Sequence, residues 1–285
     1  MMKIKSINSM LFFVLILLCS CAELPKKEKR VVTLDEEGKI EPYDKVKLKS
    51  CLNGNEYHCY QIGVFERQSG KNEEAFNYFE MGCNLNYGPA CFGAGLIHIE
   101  QKKETSGLDF LNKACKLKSG RACFELASLS DSVGEKEKAL AYYALSCDFN
   151  LLAGCHKAGL EFYDQGQYQL AARRFERGCK KNEPQNCFNA GLAAIDMGDS
   201  TRAIKYYEKA CQYYYSAGCY NLATVYSHAQ NKTDALKYLQ LALDYGFDDW
   251  TRIDFDLDLH FVRKSSEFLH LVRTYRPDLK PKPAN

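Results

Sequence analysis

Between residues 51 and 242, small, aromatic and aliphatic positions recur at three- and four-residue intervals, and the pattern repeats every 32 residues without a gap. One stripe carries Tyr60, Phe92, Phe124, His156, Phe188 and Tyr220, each followed three positions on by a small residue: Gly63, Gly95, Ala127, Gly159, Gly191 or Ala223. A second stripe pairs Ala75, Gly107, Ala139, Ala171, Ala203 and Ala235 with Phe79, Leu111, Tyr143, Phe175, Tyr207 and Leu239, four positions further on. Spacings of three and four place these residues on one face of a helix, so each unit is predicted to hold two amphipathic helices. Glycine inside a helix costs up to about 1 kcal/mol against alanine, so its recurrence points to close helix approach. Gly70, Gly134, Gly166 and Gly198 fall between the stripes, where glycine can end a helix in the left-handed conformation. Units that pack only on their neighbours form a solenoid. The predicted fold is all-α: an α-solenoid of six 32-residue helix-turn-helix repeats over residues 42–242, with capping helices at both ends.

Pro42 suits the first turn of a half-repeat helix that reaches Cys51. At the other end residues 243–275 keep apolar periodicity and add the only tryptophan, Trp250, as expected of an atypical capping repeat. Residues 276–285, rich in proline and lysine, are predicted to be a disordered tail.

Twelve of the fourteen cysteines keep the same 32-residue register. Cys51, Cys83, Cys115, Cys147, Cys179 and Cys211 open six pairs that close eight positions later at Cys59, Cys91, Cys123, Cys155, Cys187 and Cys219. On one continuous helix the members of a pair would stand about 12 Å apart, beyond the ~7 Å that a disulfide spans. Turn formers lie between them, among them Asn53-Gly54-Asn55, Gly88-Pro89, Ser119-Gly120 and Asn182-Glu183-Pro184. Each local bridge would join the second helix of one repeat to the first helix of the next. If one unit makes this bridge, translational symmetry allows all six to do so.

The remaining cysteines sit near the N-terminus. Lys3 and Lys5 precede an apolar run from Met10 to Cys19, too short to span a bilayer but suited to a secretory signal. Leu18-Cys19-Ser20-Cys21 resembles a bacterial lipobox, which implies removal of residues 1–20 and lipidation of Cys21. Twelve thiols then remain for six bridges. Export favours a disulfide scaffold over thiol or metal chemistry. Residues 21–41 are charged and lack apolar periodicity, so they are predicted to be a tether, about 25 Å end to end if flexible. Removing the signal lowers the Lys and Arg count from 38 to 36, against 36 acids, and a near-neutral chain has no basic excess for nucleic acid.

The string Ala203-Ile204-Lys205-Tyr206-Tyr207-Glu208-Lys209-Ala210-Cys211, with Cys219-Tyr220-Asn221-Leu222-Ala223, resembles the Sel-one-like repeats of the Helicobacter cysteine-rich protein family, relatives of tetratricopeptide repeats. The resemblance covers residues 42–242. It implies an exported, lipid-anchored scaffold that binds an envelope protein or peptide, on a bacterial membrane facing the periplasm or cell surface, the outer membrane being favoured by Ala22. A unit of 32 residues is shorter than the tetratricopeptide 34, and the shortening is expected in the turn between the two helices. In tetratricopeptide-like arrays the first helices line a concave groove. Two positions after the second cysteine the residues are Gln61, Gly93, Glu125, Lys157, Asn189 and Asn221, a column expected to be exposed there, with Asn189 and Asn221 the strongest candidates to grip a peptide backbone.

The resemblance also implies an alternative, a penicillin-binding protein with weak β-lactamase activity, and a purely structural envelope component is a third reading. Serine β-lactamase chemistry needs a serine with a lysine three positions on, which no serine here has. Lys118-Ser119-Gly120 superficially resembles a Lys-Thr-Gly element but lies in an inter-repeat turn. His58 and His156 adjoin cysteines without repeating in other units, and His98, His228, His260 and His270 show no paired spacing, so no metal, cofactor or catalytic residue is predicted.

Overall fold

Two left-handed residues per unit set the geometry of the array. In the computed structural model of the protein, which describes residues 45–276, positive φ angles fall at residues 54, 70, 86, 102, 118, 134, 150, 166, 182, 198, 214, 230 and 246, spaced evenly by sixteen. The helices between them are α1 (Lys45–Leu52), α2 (Glu56–Gln68), α3 (Asn72–Asn84), α4 (Gly88–Glu100), α5 (Glu104–Lys116), α6 (Gly120–Ser132) and α7 (Lys136–Asp148). There follow α8 (Leu152–Asp164), α9 (Tyr168–Cys179), α10 (Pro184–Asp196), α11 (Ser200–Gln212), α12 (Ser216–His228) and α13 (Lys232–Asp244). Every regular element among the described residues is helical, and the fold is an all-helical solenoid.

The turns share one chemistry. After α2, Lys71 N–H donates to the Glu66 carbonyl and Gly70 N–H to that of Arg67; after α3, Tyr87 N–H donates to Gly82 and Asn86 N–H to Cys83. This paired closure satisfies carbonyls that a helix end leaves open, and it requires a left-handed residue at its centre. The turns inside units (69–71) and between units (85–87) therefore have the same length. The 32-residue unit is two equal sixteen-residue halves.

The small residues of the first helices lie against the bulky residues sixteen positions later. A Cβ on Gly63 would stand 2.6 Å from the Phe79 ring, and one on Gly159 or Gly191 would stand 2.4 Å from Phe175 or Tyr207. These contacts leave no room for a methyl group, so glycine's helix cost is offset by burial of a whole aromatic ring, worth roughly 2 kcal/mol or more. The preceding aromatic stripe packs on the same rings, with centroids 5.9 Å apart for Tyr60 and Phe79, 5.3 Å for Phe124 and Tyr143, and 5.9 Å for Phe188 and Tyr207.

All six local disulfides form, with Cα–Cα distances of 4.4–4.8 Å and every cysteine buried. Each crosses an inter-repeat turn, as from Cys83 on α3 to Cys91 on α4. α1 reaches Cys51 as expected, while Pro42, the signal, Cys21, the tether and residues 277–285 lie outside the described residues.

Beyond α13 the register continues with changed residues. Leu243 and Thr251 stand 32 positions after Cys211 and Cys219, and Phe255 stands 32 after the small residue Ala223. A phenylalanine cannot enter the close approach that glycine or alanine makes. Here the first helix breaks: α14 (Trp250–Phe255) ends, Asp256 is extended with φ −62° and ψ 119°, and a 3-10 turn (Leu257–Leu259) leads into α15 (His260–Arg263) and α16 (Ser266–Tyr275). Ile253, Leu259, Val262, Phe268 and Val272 are buried against α12 and α13, closing the core.

Candidate binding groove

Among the first helices of successive units, α2 approaches α4 and α6 approaches α8. Polar rungs cross between them: Arg67 Nη2 donates to Glu100 Oε1 at 2.5 Å, and the Tyr163 hydroxyl donates to Asp196. The polar column lies along these helices at equivalent places. Lys157 is exposed; Gln61 on α2, Glu125 on α6 and Asn189 on α10 are half-buried. Gly93 supplies no side chain, because a Cβ there would stand 2.9 Å from the Phe79 ring. The Gln61 Oε1 is buried with no hydrogen-bond partner among the described residues. An unmet buried acceptor costs about 1–3 kcal/mol.

Asn221 differs, and the expectation of an exposed side chain there is corrected. It is only 5% exposed. The cap reaches over α12 and Arg252 Nη2 donates to Asn221 Oδ1 at 3.2 Å, while the Tyr207 hydroxyl lies against the same amide. The Arg252 guanidinium sits 4.8 Å over the Tyr220 ring, which also stacks on Phe247 at 4.2 Å. Tyr220 Oη donates to Asp256 Oδ2 at 2.8 Å. Burial pushes the Tyr207 hydroxyl up to about 12, and burial followed by the Asp256 carboxylate raises that of Tyr220. Both phenols stay protonated at neutral pH. Sequence reasoning missed Arg252 and Asp256, because they act across the break at Phe255, where the 32-residue pattern gives no guide.

Reactive chemistry does not converge anywhere in this region. Lys118 is the left-handed turn residue, with φ 64°, and Ser119 caps α6 by accepting from Ala122 N–H. All twelve cysteines of the array are bridged. Among the described residues no three His, Cys, Asp or Glu side chains are placed to hold a metal ion. His58 Nδ1 instead pairs with Ser50 Oγ at 2.8 Å, and His98 stacks on Phe76 at 4.3 Å. Burial lowers the pKa of His98 and of His156, which stands where five units carry an aromatic ring.

Residues 184–215, the α10–α11 hairpin with its closing turn, match a tetratricopeptide repeat family model. Among solved structures the chain is similar to a protective antigen of uropathogenic Escherichia coli strains that displays an SLR fold, at 17% identity and a TM-score of 0.50, covering 84% of this chain and 59% of that one. It is also similar to a Sel1 repeat protein from Oxalobacter formigenes, at 18% identity and a TM-score of 0.46, covering 67% of this chain and 88% of that one. YrrB, a TPR protein with an unusual peptide-binding site, aligns at 15% identity and a TM-score of 0.39 over 60% of this chain and 93% of its own. No curated protein aligns with the chain at a significant level. The chain has a Sel1- and tetratricopeptide-like repeat fold.

Proposed function

We propose that this Sel1- and tetratricopeptide-like array is a scaffold of the Helicobacter cysteine-rich type, exported, lipid-anchored through Cys21, and holding an envelope protein or peptide along its first helices without turning it over. Repeat proteins of this fold commonly bind protein or peptide partners. One observation carries the reading for this chain. Asn221, the last member of the polar column, already takes a polypeptide segment, the cap from Phe247 to Asp256, through an amide–guanidinium hydrogen bond to Arg252 beside the donor Tyr220. An external chain would meet the polar side chains of Asn189, Lys157, Glu125 and Gln61, two of them amides like Asn221, further along the column.

A photo-crosslinking amino acid placed at residue 189 or 61 in cells should capture one envelope protein, whereas the same probe at exposed Glu73 on α3 should not. Capture at 73 alone would move the site to the second-helix face. With that partner in hand, Asn189→Ala should weaken binding by about 1–3 kcal/mol in calorimetry, the range for a lost buried hydrogen bond. Anchoring is tested separately: Cys21→Ser should abolish acylation. β-Lactam turnover by the wild-type protein would replace the scaffold reading with an enzymatic one.

A further inference from the structure

We propose that Asn53 is a modification site, an asparagine poised to deamidate to aspartate and isoaspartate, and that the Cys51–Cys59 bridge holds this conversion off. Asn53-Gly54 is the only asparagine–glycine pair in the chain. The reaction needs no partner but water. The Gly54 amide nitrogen loses its proton and attacks Cγ of the Asn53 side chain; the bond from Cγ to the side-chain nitrogen breaks, ammonia leaves, and a five-membered succinimide remains. Water then opens that ring at either carbonyl, giving aspartate or isoaspartate, with nothing oxidised or reduced. Glycine favours the step because no Cβ crowds the attacking nitrogen. Asn86, Asn150 and Asn182 of later inter-repeat turns precede Tyr87, Leu151 and Glu183, whose side chains do crowd it.

The first turn is also an open one. Residues 52–57 between the two cysteines are all exposed. At the next turn the residue equivalent to Glu56 is Gly88, which is buried, with the Leu117 carbonyl 3.1 Å from where its Cβ would stand. What restrains the first turn is hydrogen bonding. Asn53 N–H donates to the Lys49 carbonyl at 3.0 Å, Gly54 N–H to that of Cys51 at 2.9 Å, and Asn55 N–H to that of Ser50 at 3.0 Å. The nitrogen that must attack is therefore tied, proton in place, to the carbonyl of the bridged cysteine. All three acceptors belong to α1, a helix of eight residues of which only Cys51 is buried. Isolated helices shorter than about 12–15 residues are marginal in water, so α1 depends on its attachment to the array. The bridge to Cys59 supplies that attachment covalently, with a hydrogen bond between Ser50 Oγ and His58 Nδ1 at 2.8 Å beside it. Once the bridge is gone, fraying of α1 withdraws the three acceptors and leaves Asn53 and Gly54 in a flexible loop that reaches the geometry of attack.

Incubation of the purified full chain at mildly alkaline pH, followed by peptide mapping that resolves asparagine, aspartate and isoaspartate, tests this. In the reduced, denatured chain Asn53 should convert faster than any other asparagine, and in the native protein it should convert slowly. Cys51→Ser with Cys59→Ser should speed conversion at Asn53 by about ten-fold or more over native, because the rate follows the population of the opened turn. Cys147→Ser with Cys155→Ser should leave it at the native rate. In the first double variant α3 and the helices after it should keep native hydrogen exchange, and adding Gly54→Ala should make conversion slow again. Conversion in the native protein at the denatured rate, no acceleration on removing the first bridge, equal acceleration on removing the fourth, or protection lost throughout the first variant would overturn the proposal.

Discussion

The six stapled units and the cap follow one register and end differently. In the stapled units a cysteine pair closes each inter-repeat turn, a small residue admits the partner ring, and the first helices run unbroken, as from Leu152 to Asp164. In the cap Leu243 and Thr251 replace the cysteines and Phe255 replaces the small residue, and the first helix stops at residue 255. A polar network takes over there: Tyr220 to Asp256, Arg252 to Asn221, and Arg263 to the carbonyls of Ile253 and Asp256. Covalent staples hold a repeating interface at each step. Hydrogen bonds hold a unique one, and only the unique one closes the polar column.

The comparison can be broken at the small residue. Gly159→Phe carries the cap's substitution into a stapled unit, where even a Cβ would meet the Phe175 ring at 2.4 Å. Overpacking of this kind should cost about 3 kcal/mol or more in chemical denaturation and reduce helical ellipticity. Next in size is the staple. Cys147→Ser with Cys155→Ser should lower stability by about 2.5 kcal/mol, the chain-entropy value for so short a loop, and hydrogen exchange should quicken in α7 and α8 before the outer units. In the cap, Tyr220→Phe removes one hydrogen bond to a carboxylate and should cost about 1.5 kcal/mol, with faster exchange confined to residues 250–275.

His156 sharpens the comparison within the stapled units. Its Nδ1 is buried without a hydrogen-bond partner among the described residues, so His156→Phe should raise stability by about 1 kcal/mol at neutral pH. The sign of its pH dependence follows from burial, which holds the folded pKa of His156 and of His98 below the ordinary value of 6.5. Their contribution is intact above pH 6.5 and declines as the pH falls from there through the folded pKa, because the unfolded chain takes up the proton first. His156→Phe should reduce the fall in melting temperature between pH 6.5 and 5. The smallest effect belongs to the turns: Lys118→Gly relieves a left-handed lysine at φ 64°, and should gain about 0.5 kcal/mol once glycine's extra unfolded-state entropy is subtracted.

The helices, their pairing and the disulfides were legible in the sequence because translational symmetry repeats each signal six times. The second left-handed column was less visible. Gly54, Asn86, Asn150 and Asn182 are ordinary turn residues, but Lys118 and Tyr214 occupy the same conformation with no local preference for it, being placed there by the helices on either side. The polar column was legible as a register and misjudged at its end. Nothing in the spacing of Asn221 reveals that Arg252, 31 residues on, covers it, since that contact depends on a helix broken by Phe255. Symmetry predicts what repeats; a contact made once must be seen in place.

The account rests on six local bridges that convert a periodic sequence into a stapled array. Proteolysis of the native protein without reduction, with thiols blocked and peptides identified by mass, tests this directly. The result predicted is six linked pairs, each joining cysteines eight positions apart from Cys51–Cys59 to Cys211–Cys219, with no free thiol among the twelve. A bridge between cysteines of different pairs, or a stoichiometric free thiol at any of the twelve, would contradict it.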